Sequence, residues 1–535
     1  MNNLLSHTVC KWLQLSGIQI SRSYFNEQLQ SHPDYPSLLC ITDALDGMGI
    51  DNAAVVIDKD KLQHVPCPFL AFNRVNKTVI IIKNIRQQII DNPEFEKHWD
   101  GTALFVEKRE GWLSPENRSR LAIEKKNRFE NLTLFLLPGL LIFLGLLNNY
   151  SWGMMWLLLV SAIGIFITTT IVQHELGISN EFAEQLCGAA GNSGCNAVIH
   201  SRGSRLGKLL NLADAGIIYF ISYTFLLIGF LYQNNVAGIK MIAVVSLVSI
   251  PFTLYSVVYQ WRVAKKWCRL CLLTVGVLWL QILILFFADI YKNIVIDSII
   301  LAPVLYILFV FFTVAAVWLR LVKPALTKNK TLLREKFGLQ QFKNDPELFD
   351  LLLKKERRVD ATPFEGDLQL GNPAANIQIM VACNPFCGPC AKAHKTLHEL
   401  LEKNDIGLTV RFNVTSENPE DKKTRAIQYL LQLLNNSNIK KKREVLYEWF
   451  DLMDYDKFVG RFPLSEGTVD VARQLSQQQE WTKTAEIKFT PTIFMNDYEL
   501  PKQYRAVDLK FLVRCFNRSE AIIKEETTEI DYMPA

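Results

Sequence analysis

Residues 152–172 read WGMMWLLLVSAIGIFITTTIV, and none of these 21 side chains carries a charge. A helix of this length, at about 1.5 Å per residue, crosses the roughly 30 Å hydrocarbon layer of a membrane. Lipid offers no partner to backbone N–H and C=O groups, so a helix is the structure expected for such a segment. The stretch therefore predicts a transmembrane helix and argues against a purely soluble protein.

Further apolar runs surround this segment, and only 16 charged residues lie between positions 132 and 322. Helices of a large soluble core would carry polar faces, which these runs lack. We therefore predict a multidomain membrane protein with an α-helical transmembrane bundle. Its six spans are expected at residues 132–147, 152–172, 212–232, 236–259, 271–287 and 299–319.

The rest of the chain is rich in charge and predicts two soluble domains joined to the bundle. The net charge of +5 gives no reason to expect a nucleic-acid partner. No cleavable signal sequence is recognised, so we expect the first domain to stay attached. The expected divisions are an α+β domain at 1–110, a basic neck at 111–131, the membrane domain at 132–322, a charged connector at 323–362 and an α/β domain at 363–535.

Six of the 11 cysteines form three spaced pairs, each in a different setting. A pair at the end of a membrane helix can meet a lipid-soluble oxidant, and a pair in a polar loop can exchange with a soluble partner. Three such pairs predict a series of thiol–disulfide exchanges. The pairs are Cys187 and Cys195 in the loop after the second span, Cys268 and Cys271 at the start of the fifth span, and Cys387 and Cys390 in the last domain.

The sequence Cys387-Gly-Pro-Cys390 follows an apolar strand and opens a predicted helix. Free N–H groups and the helix dipole stabilise a thiolate there, so we expect Cys387 to attack and Cys390 to resolve. Structural zinc is the alternative for this motif, with Cys383 and His394 as the nearby further ligands. No metal is assigned.

This motif, together with Phe489-Thr490-Pro491-Thr492-Ile493-Phe494, resembles the thioredoxin superfamily. The resemblance implies that Pro491 is a cis-proline that faces the disulfide and helps to dock the partner's chain. A helical insertion is expected near residues 418–479. The dipeptide between the cysteines is that of reducing thioredoxins, so disulfide isomerisation stays open beside oxidation.

The membrane-domain motifs are Cys187-x7-Cys195, then Ser201-Arg-Gly, and later Trp267-Cys-Arg-Leu-Cys271-Leu. Together they resemble the vitamin K epoxide reductase family in its bacterial form fused to a thioredoxin-like domain. The resemblance covers about residues 150–535. It implies a four-helix core around a quinone, either ubiquinone or menaquinone, with flanking spans.

The same resemblance implies a role for each cysteine of the membrane domain. Cys271 would face the quinone, Cys268 would exchange with Cys187, and Cys195 would meet Cys387. Ser201 and Asp214 are the further residues expected near the quinone. The predicted enzyme is a quinone-linked oxidoreductase that takes electrons from reduced secreted or periplasmic proteins, passes them to the membrane quinone pool and forms disulfides.

Disulfide chemistry belongs outside the cytoplasm, which predicts the side of each domain. With six spans in the cell (inner) membrane, the loop pair, Cys268 and the thioredoxin-like domain all face the periplasmic or extracytoplasmic side. The same count also puts the first domain outside. Basic residues before the first span and at 262–269 oppose the positive-inside tendency, so the side of the first domain stays open.

The first domain contains His32-Pro-Asp-Tyr-Pro-Ser-Leu-Leu and resembles the papain-like peptidase domain of bacteriocin-processing exporters. Cys10 is the candidate nucleophile, but Lys77-Thr78 stands where that family has its catalytic histidine. We therefore predict a pseudopeptidase that binds peptides rather than an active peptidase. The alternative function for the whole protein is peptide binding or processing in the maturation of secreted cysteine-containing peptides. Cys40, Cys67 and Cys515 lie in apolar settings and are expected to be packed.

Overall fold

The structure is a computed structural model, and the chain divides into two compact units, residues 1–30 with 34–337 and residues 31–33 with 338–535. Each unit is described by itself. The described residues are 2–58, 65–73, 78–84, 99, 101–107, 114–134, 152–177, 182–183, 186, 194–206, 210–288, 290, 301–364, 367–415, 418, 420–435, 437–464 and 470–518.

The first unit begins with an α+β domain in which three helices pack on an antiparallel sheet. The elements are α1 (Asn2–Leu15), α2 (Arg22–Gln30), α3 (Leu38–Gly47), β1 (Asn52–Val56), β2 (Phe69–Asn73), β3 (Thr78–Ile82) and β4 (Thr102–Val106). The strand order is β1-β4-β2-β3, and Leu70 and Leu104 of the sheet are buried in one cluster with the apolar faces of the helices.

One of the two cysteines predicted to be packed in this domain is buried, and the other is not. Cys40 on α3 lies in the core, and so does Cys10 on α1, the candidate nucleophile. Cys67, expected to be packed, is exposed. It lies between Pro66 and Pro68, before β2 begins, and so outside the strand whose apolar side chains pack in the core.

The predicted basic neck is largely a helix, α4 (Pro115–Leu134), that is bound to the first domain. Asn117 accepts a hydrogen bond from the backbone N–H of Ser21 at 2.8 Å. Glu124 accepts from the hydroxyl and the backbone N–H of Ser23, at 2.6 and 3.0 Å. Because these donors lie at the start of α2, the carboxylate satisfies a helix N-terminus.

Among the described residues, five helical segments are long and apolar enough to cross a membrane. They correspond to the second to sixth predicted spans, whereas most of the first, at 132–147, lies outside the described residues. The elements of this region are α5 (Trp152–Glu175), α6 (Gly194–Ile199), β5 (Arg205–Leu206), β6 (Leu210–Asn211), α7 (Leu212–Tyr232), α8 (Val236–Val248), α9 (Ile250–Val258), α10 (Arg269–Phe287), α11 (Leu301–Val317) and α12 (Lys323–Lys343).

Close helix packing in the bundle depends on small residues. A Cβ atom on Gly164 of α5 would lie 2.3 Å from the ring of Phe220 on α7, and one on Gly238 of α8 would lie 2.3 Å from Phe230. Both aromatic rings are buried. Glycine at these positions therefore lets aromatic side chains of one helix pack against the backbone of the next.

The second unit is an α/β domain with a five-stranded sheet. The elements are α13 (Pro346–Leu353), β7 (Leu368–Gly371), β8 (Gln378–Cys383), α14 (Gly388–Lys403), β9 (Gly407–Phe412), α15 (Lys422–Asn435), α16 (Ile439–Leu452), α17 (Tyr455–Arg461), α18 (Ala472–Thr484), β10 (Thr492–Met495) and β11 (Tyr498–Glu499). The strand order is β11-β10-β8-β9-β7, with β8 and β9 parallel and the other neighbours antiparallel. In the described residues, four helices lie between β9 and β10, where a helical insertion was expected.

A buried ion pair binds the segment before β7 to this sheet. The Arg411 guanidinium on β9 donates to the Asp367 carboxylate at 2.6 Å and to the Thr362 carbonyl at 2.7 Å. It lies 4.2 Å from the ring centre of Phe364 and 4.6 Å from that of Trp481. Both charged side chains are almost completely buried, so each depends on the other for its solvation.

Candidate redox site and apolar cavity

The thioredoxin-like motif lies at the start of α14, where Cys387 is the N-cap residue. Its Sγ accepts a hydrogen bond from the backbone N–H of Cys390 at 3.3 Å and donates to the Thr490 carbonyl at 3.4 Å. The Thr490–Pro491 peptide bond is cis. The loop before β10 therefore lies directly beside the half-buried Cys387 sulfur.

The membrane motif has the same local geometry at the start of α10. Cys268 is the N-cap residue with φ −95° and ψ 109°, close to the −98° and 112° of Cys387. Its Sγ accepts from the backbone N–H of Cys271 at 3.4 Å. Both motifs therefore place the first sulfur among the free N–H groups of a helix N-terminus.

The two motifs differ in which sulfur is accessible. In the soluble motif Cys387 is half-buried and Cys390 is buried, whereas in the membrane motif Cys268 is buried and Cys271 is the more accessible. The motif spacing alone does not show this inversion. Their accessible sulfurs thus come from opposite positions of the Cys-x-x-Cys sequence.

The third pair is described in part. Cys195 on α6 is buried and disulfide-bonded, and it belongs to the same apolar cluster as Cys268, with Cys271 packed against it. Cys187, its predicted partner, lies outside the described residues. Three of the four membrane-domain cysteines are therefore brought together.

A cavity of about 800 Å³ lies inside the membrane bundle and is lined by Cys271. This volume is near the upper end of the roughly 300–1,000 Å³ typical of small-molecule pockets. Most lining side chains are apolar, and polar groups of Glu175 and Asn211 meet at one end, where the Asn211 amide donates to the Glu175 carboxylate. The site has the properties of a pocket for an apolar molecule with a polar head.

Neither further residue predicted near the quinone lines this cavity. The Ser201 hydroxyl donates to the Val198 carbonyl at 2.6 Å, within its own turn. Asp214 is fully buried and accepts from the Trp318 indole N–H at 2.9 Å while pairing with Lys323. Both side chains are occupied by protein groups in this structure.

Two residues close to these sites were not anticipated from the sequence in their observed roles. Gln260, buried in the third described span, accepts from the backbone N–H of Cys268 at 2.8 Å and so positions the membrane motif. A polar side chain within an apolar run could have indicated this role from the sequence. Glu175, at the polar end of the cavity, is likewise a charged residue at the end of an apolar span.

Behind the soluble motif lie a third thiol and a histidine. Burial raises the pKa of Cys390 to about 12 and that of Cys383 well above the ordinary range. Burial lowers the pKa of His394 to about 3, and its ring stacks on Phe450 at 4.0 Å. Within the described ranges, no three His, Cys, Asp or Glu side chains are grouped to hold a metal ion.

Family models match two parts of the chain. The model of the vitamin K epoxide reductase family matches residues 155–287, and a thioredoxin model matches residues 364–513. The chain therefore contains a vitamin K epoxide reductase domain and a thioredoxin-like domain, which identify it as an oxidoreductase with a disulfide-related redox function. With its long apolar helices, it is a membrane protein. Neither match includes residues 1–110.

Three solved structures that are similar to this chain have TM-scores below 0.3. ScsC of Proteus mirabilis in a transitional conformation is 18% identical, covers 36% of this chain and 92% of its own, and has a TM-score of 0.26. Oxidised BdbD of Bacillus subtilis is 12% identical, with coverages of 29% and 96% and a TM-score of 0.24. A periplasmic thioredoxin-like protein of Salmonella enterica serovar Typhimurium is 11% identical, with coverages of 31% and 96% and a TM-score of 0.24. No curated protein matches the chain.

Proposed function

We propose that the protein is a quinone-dependent thiol oxidoreductase that forms disulfides in exported proteins. The observation that carries this proposal is the position of Cys271, whose side chain lines a large apolar cavity one turn from the buried Cys268. A dithiol beside such a cavity can transfer electrons to an apolar acceptor without exposing either to water. The vitamin K epoxide reductase domain supports a quinone as that acceptor.

The cavity fits a quinone in its chemistry. Its walls are apolar, which suits a ring with an isoprenoid tail, and Glu175 and Asn211 supply polar groups at one end. A bound quinone would accept the two electrons and two protons released when Cys268 and Cys271 form a disulfide. Of the chain's own groups, Gln260 holds the backbone of Cys268, and the helix N-terminus stabilises its thiolate.

The burial of Cys195 suggests the order of the exchanges in the membrane domain. The family resemblance implied that Cys187 exchanges with Cys268 and that Cys195 meets the soluble domain. Cys195 is 2% exposed and shares an apolar cluster with Cys268, which favours the reverse assignment. We therefore propose that Cys195 exchanges with Cys268 and that Cys187 receives electrons from the thioredoxin-like domain.

In the thioredoxin-like domain we propose that Cys387 attacks and Cys390 resolves. Cys387 is the accessible sulfur, and the cis Thr490–Pro491 segment beside it is the expected docking strand for a substrate chain. Reduced exported proteins are the proposed substrates, and the domain is proposed to lie on the extracytoplasmic side of the cell membrane. Isomerisation remains the second activity consistent with Gly388-Pro389.

The full chain in lipid nanodiscs, supplied with a reduced unfolded protein and a quinone, tests the relay. We expect loss of substrate thiols to match quinone reduction one disulfide to one quinone. In Cys271→Ala, quinone reduction should stop while mixed disulfides still form between Cys387 and the substrate. Cys67→Ala, which removes an exposed cysteine of the first domain, is the matched control. Equal quinone reduction in Cys271→Ala and the control would refute the proposal.

For the first domain we propose peptide binding without peptidase activity. A cysteine peptidase needs a thiolate nucleophile, but Cys10 is 1% exposed and burial raises its pKa to about 12. The papain-like resemblance thus points to a peptide-handling role in the maturation of secreted peptides. Cleavage of a leader peptide by the full chain, lost in Cys10→Ala, would contradict this proposal.

A further inference from the structure

The last described span forms one wall of the cavity. Six residues of α11 line it and recur every three or four positions, which places them along a single face of the helix. We call this set the α11 wall. It consists of Val304, Ile307, Leu308, Phe311, Phe312 and Ala315.

The length of the α11 wall exceeds that of a quinone ring. Val304 and Ala315 are separated by eleven positions, which corresponds to about 16 Å along a helix axis. Every side chain of the wall is apolar. The wall therefore suits an elongated apolar group rather than a flat polar head.

The wall is fixed to the bundle at the C-terminal end of α11. Just beyond α11, Trp318 donates to Asp214 at 2.9 Å, and Lys323 pairs with the same carboxylate. Asp214 is in the first turn of α7 and is fully buried. Removing either partner from a buried charged pair is costly, so this contact holds α11 in register beside α7.

Several large apolar side chains that line the cavity beside the wall are widely exposed. Leu308 and Phe312 are 61% and 74% exposed although they line the cavity, and Val248 and Phe252 of the opposite helices are 61% and 53% exposed. These four large apolar side chains lie at the edge of the cavity on membrane-spanning segments. Segments of this length and composition suit a hydrocarbon surrounding, so these exposed side chains offer an apolar chain a path from the cavity into lipid.

We propose that the α11 wall binds the isoprenoid tail of the quinone and makes the protein selective for tailed quinones, an inference that rests on the proposed function. The wall lies outside residues 155–287, the part matched by the vitamin K epoxide reductase model. Selectivity for the tail is thus contributed by a helix added to the matched domain. The ring remains at the Cys271 end.

Binding of paired quinones to the full chain in nanodiscs tests this proposal. The probes are benzoquinones and naphthoquinones, each with a four-isoprene tail or with none, and binding is followed by quenching of tryptophan fluorescence. Truncation at a hydrophobic subsite typically costs tenfold or more in affinity. In Phe312→Ala, the Kd of the tailed quinone should rise about tenfold and that of the tail-less quinone less than about twofold.

Phe309→Ala is the matched control. Phe309 is 65% exposed on the same helix but does not line the cavity, so its variant should bind both probes like the parent. Leu308→Ala provides a second, smaller truncation of the wall, and circular dichroism verifies that each variant is folded.

Each outcome is decisive. Weaker binding of tailed quinones in both wall variants, with the control unchanged, supports the proposal. If tailed and tail-less quinones bind equally to the parent, or if the wall variants match Phe309→Ala, the α11 wall does not bind the tail, while the proposed function stands. Absence of any quinone binding to the parent overturns both.

Discussion

Alkylation of Cys390 in the reduced protein should be at least 30- to 60-fold slower than that of an ordinary exposed thiol. Burial raises the pKa of Cys390 from 9.0 to about 12. At pH 8 this rise lowers the thiolate fraction about 1,000-fold. The more basic thiolate is the better nucleophile. With a Brønsted coefficient of about 0.4–0.5, as for thiolate attack on disulfides, its intrinsic rate constant is about 16- to 32-fold higher, which offsets part of that loss. The quotient is about 30- to 60-fold, and the complete burial of the side chain slows the reaction further.

The assay uses the full chain, reduced and then treated with iodoacetamide for increasing times, with labelled peptides quantified by mass spectrometry. The exposed Cys67 of the same chain is the internal reference. Labelling of Cys390 should rise about tenfold for each pH unit between pH 7 and 10, because the thiol stays below its pKa throughout that range. In denaturant the rates of Cys390 and Cys67 should converge. Labelling of Cys390 at the rate of Cys67 in the folded protein would refute a buried, neutral resolving thiol.

Three further predictions concern the soluble domains. Arg411→Met should destabilise the thioredoxin-like domain by about 3–5 kcal/mol because it leaves Asp367 buried without its partner. The double variant with Asp367→Leu should recover most of that stability. Thermal unfolding followed by near-ultraviolet circular dichroism distinguishes the two variants. Burial of neutral His394 makes stability fall as pH drops from about 6.5 towards 3, because the unfolded state binds the proton that the folded state excludes. In His394→Leu, the urea concentration at the unfolding midpoint should change less with pH over that range. An unchanged pH dependence would contradict the burial of a neutral His394. Cys10→Ala should leave any peptide binding by the first domain unchanged, as measured by calorimetry, because the buried thiol makes no contact with solvent.

The membrane spans were the most predictable part of the fold. Five of the six predicted segments are apolar helices whose bounds lie within a few residues of those expected, except at the ends where helices run on into polar sequence. Hydropathy predicts them because the cost of burying a backbone polar group in lipid depends on the segment itself. The continuation of the last span into α12 was not predicted, since charged residues there carry no hydropathy signal.

The positions of Asp214 and Ser201 show where such prediction ends. The family resemblance placed Asp214 near the quinone, but Trp318 and Lys323, more than 100 positions away, donate to its carboxylate oxygens. No local pattern shows that these residues meet. The α11 wall was equally hidden, because apolar side chains also fill most of the other positions of α11, so hydropathy does not mark the face that lines the cavity.

The apolar spans, the three cysteine pairs and the helix-opening geometry of two of them follow from short stretches of sequence, because hydropathy and helix termini are local properties. The accessible sulfur of each motif, the cluster that joins Cys195 to Cys268, and the helix that forms one wall of the cavity depend on packing between segments far apart in the chain. Burial is a property of those contacts rather than of any one residue, and it is burial that raises the pKa of Cys390 and makes Cys387 the accessible sulfur of its motif.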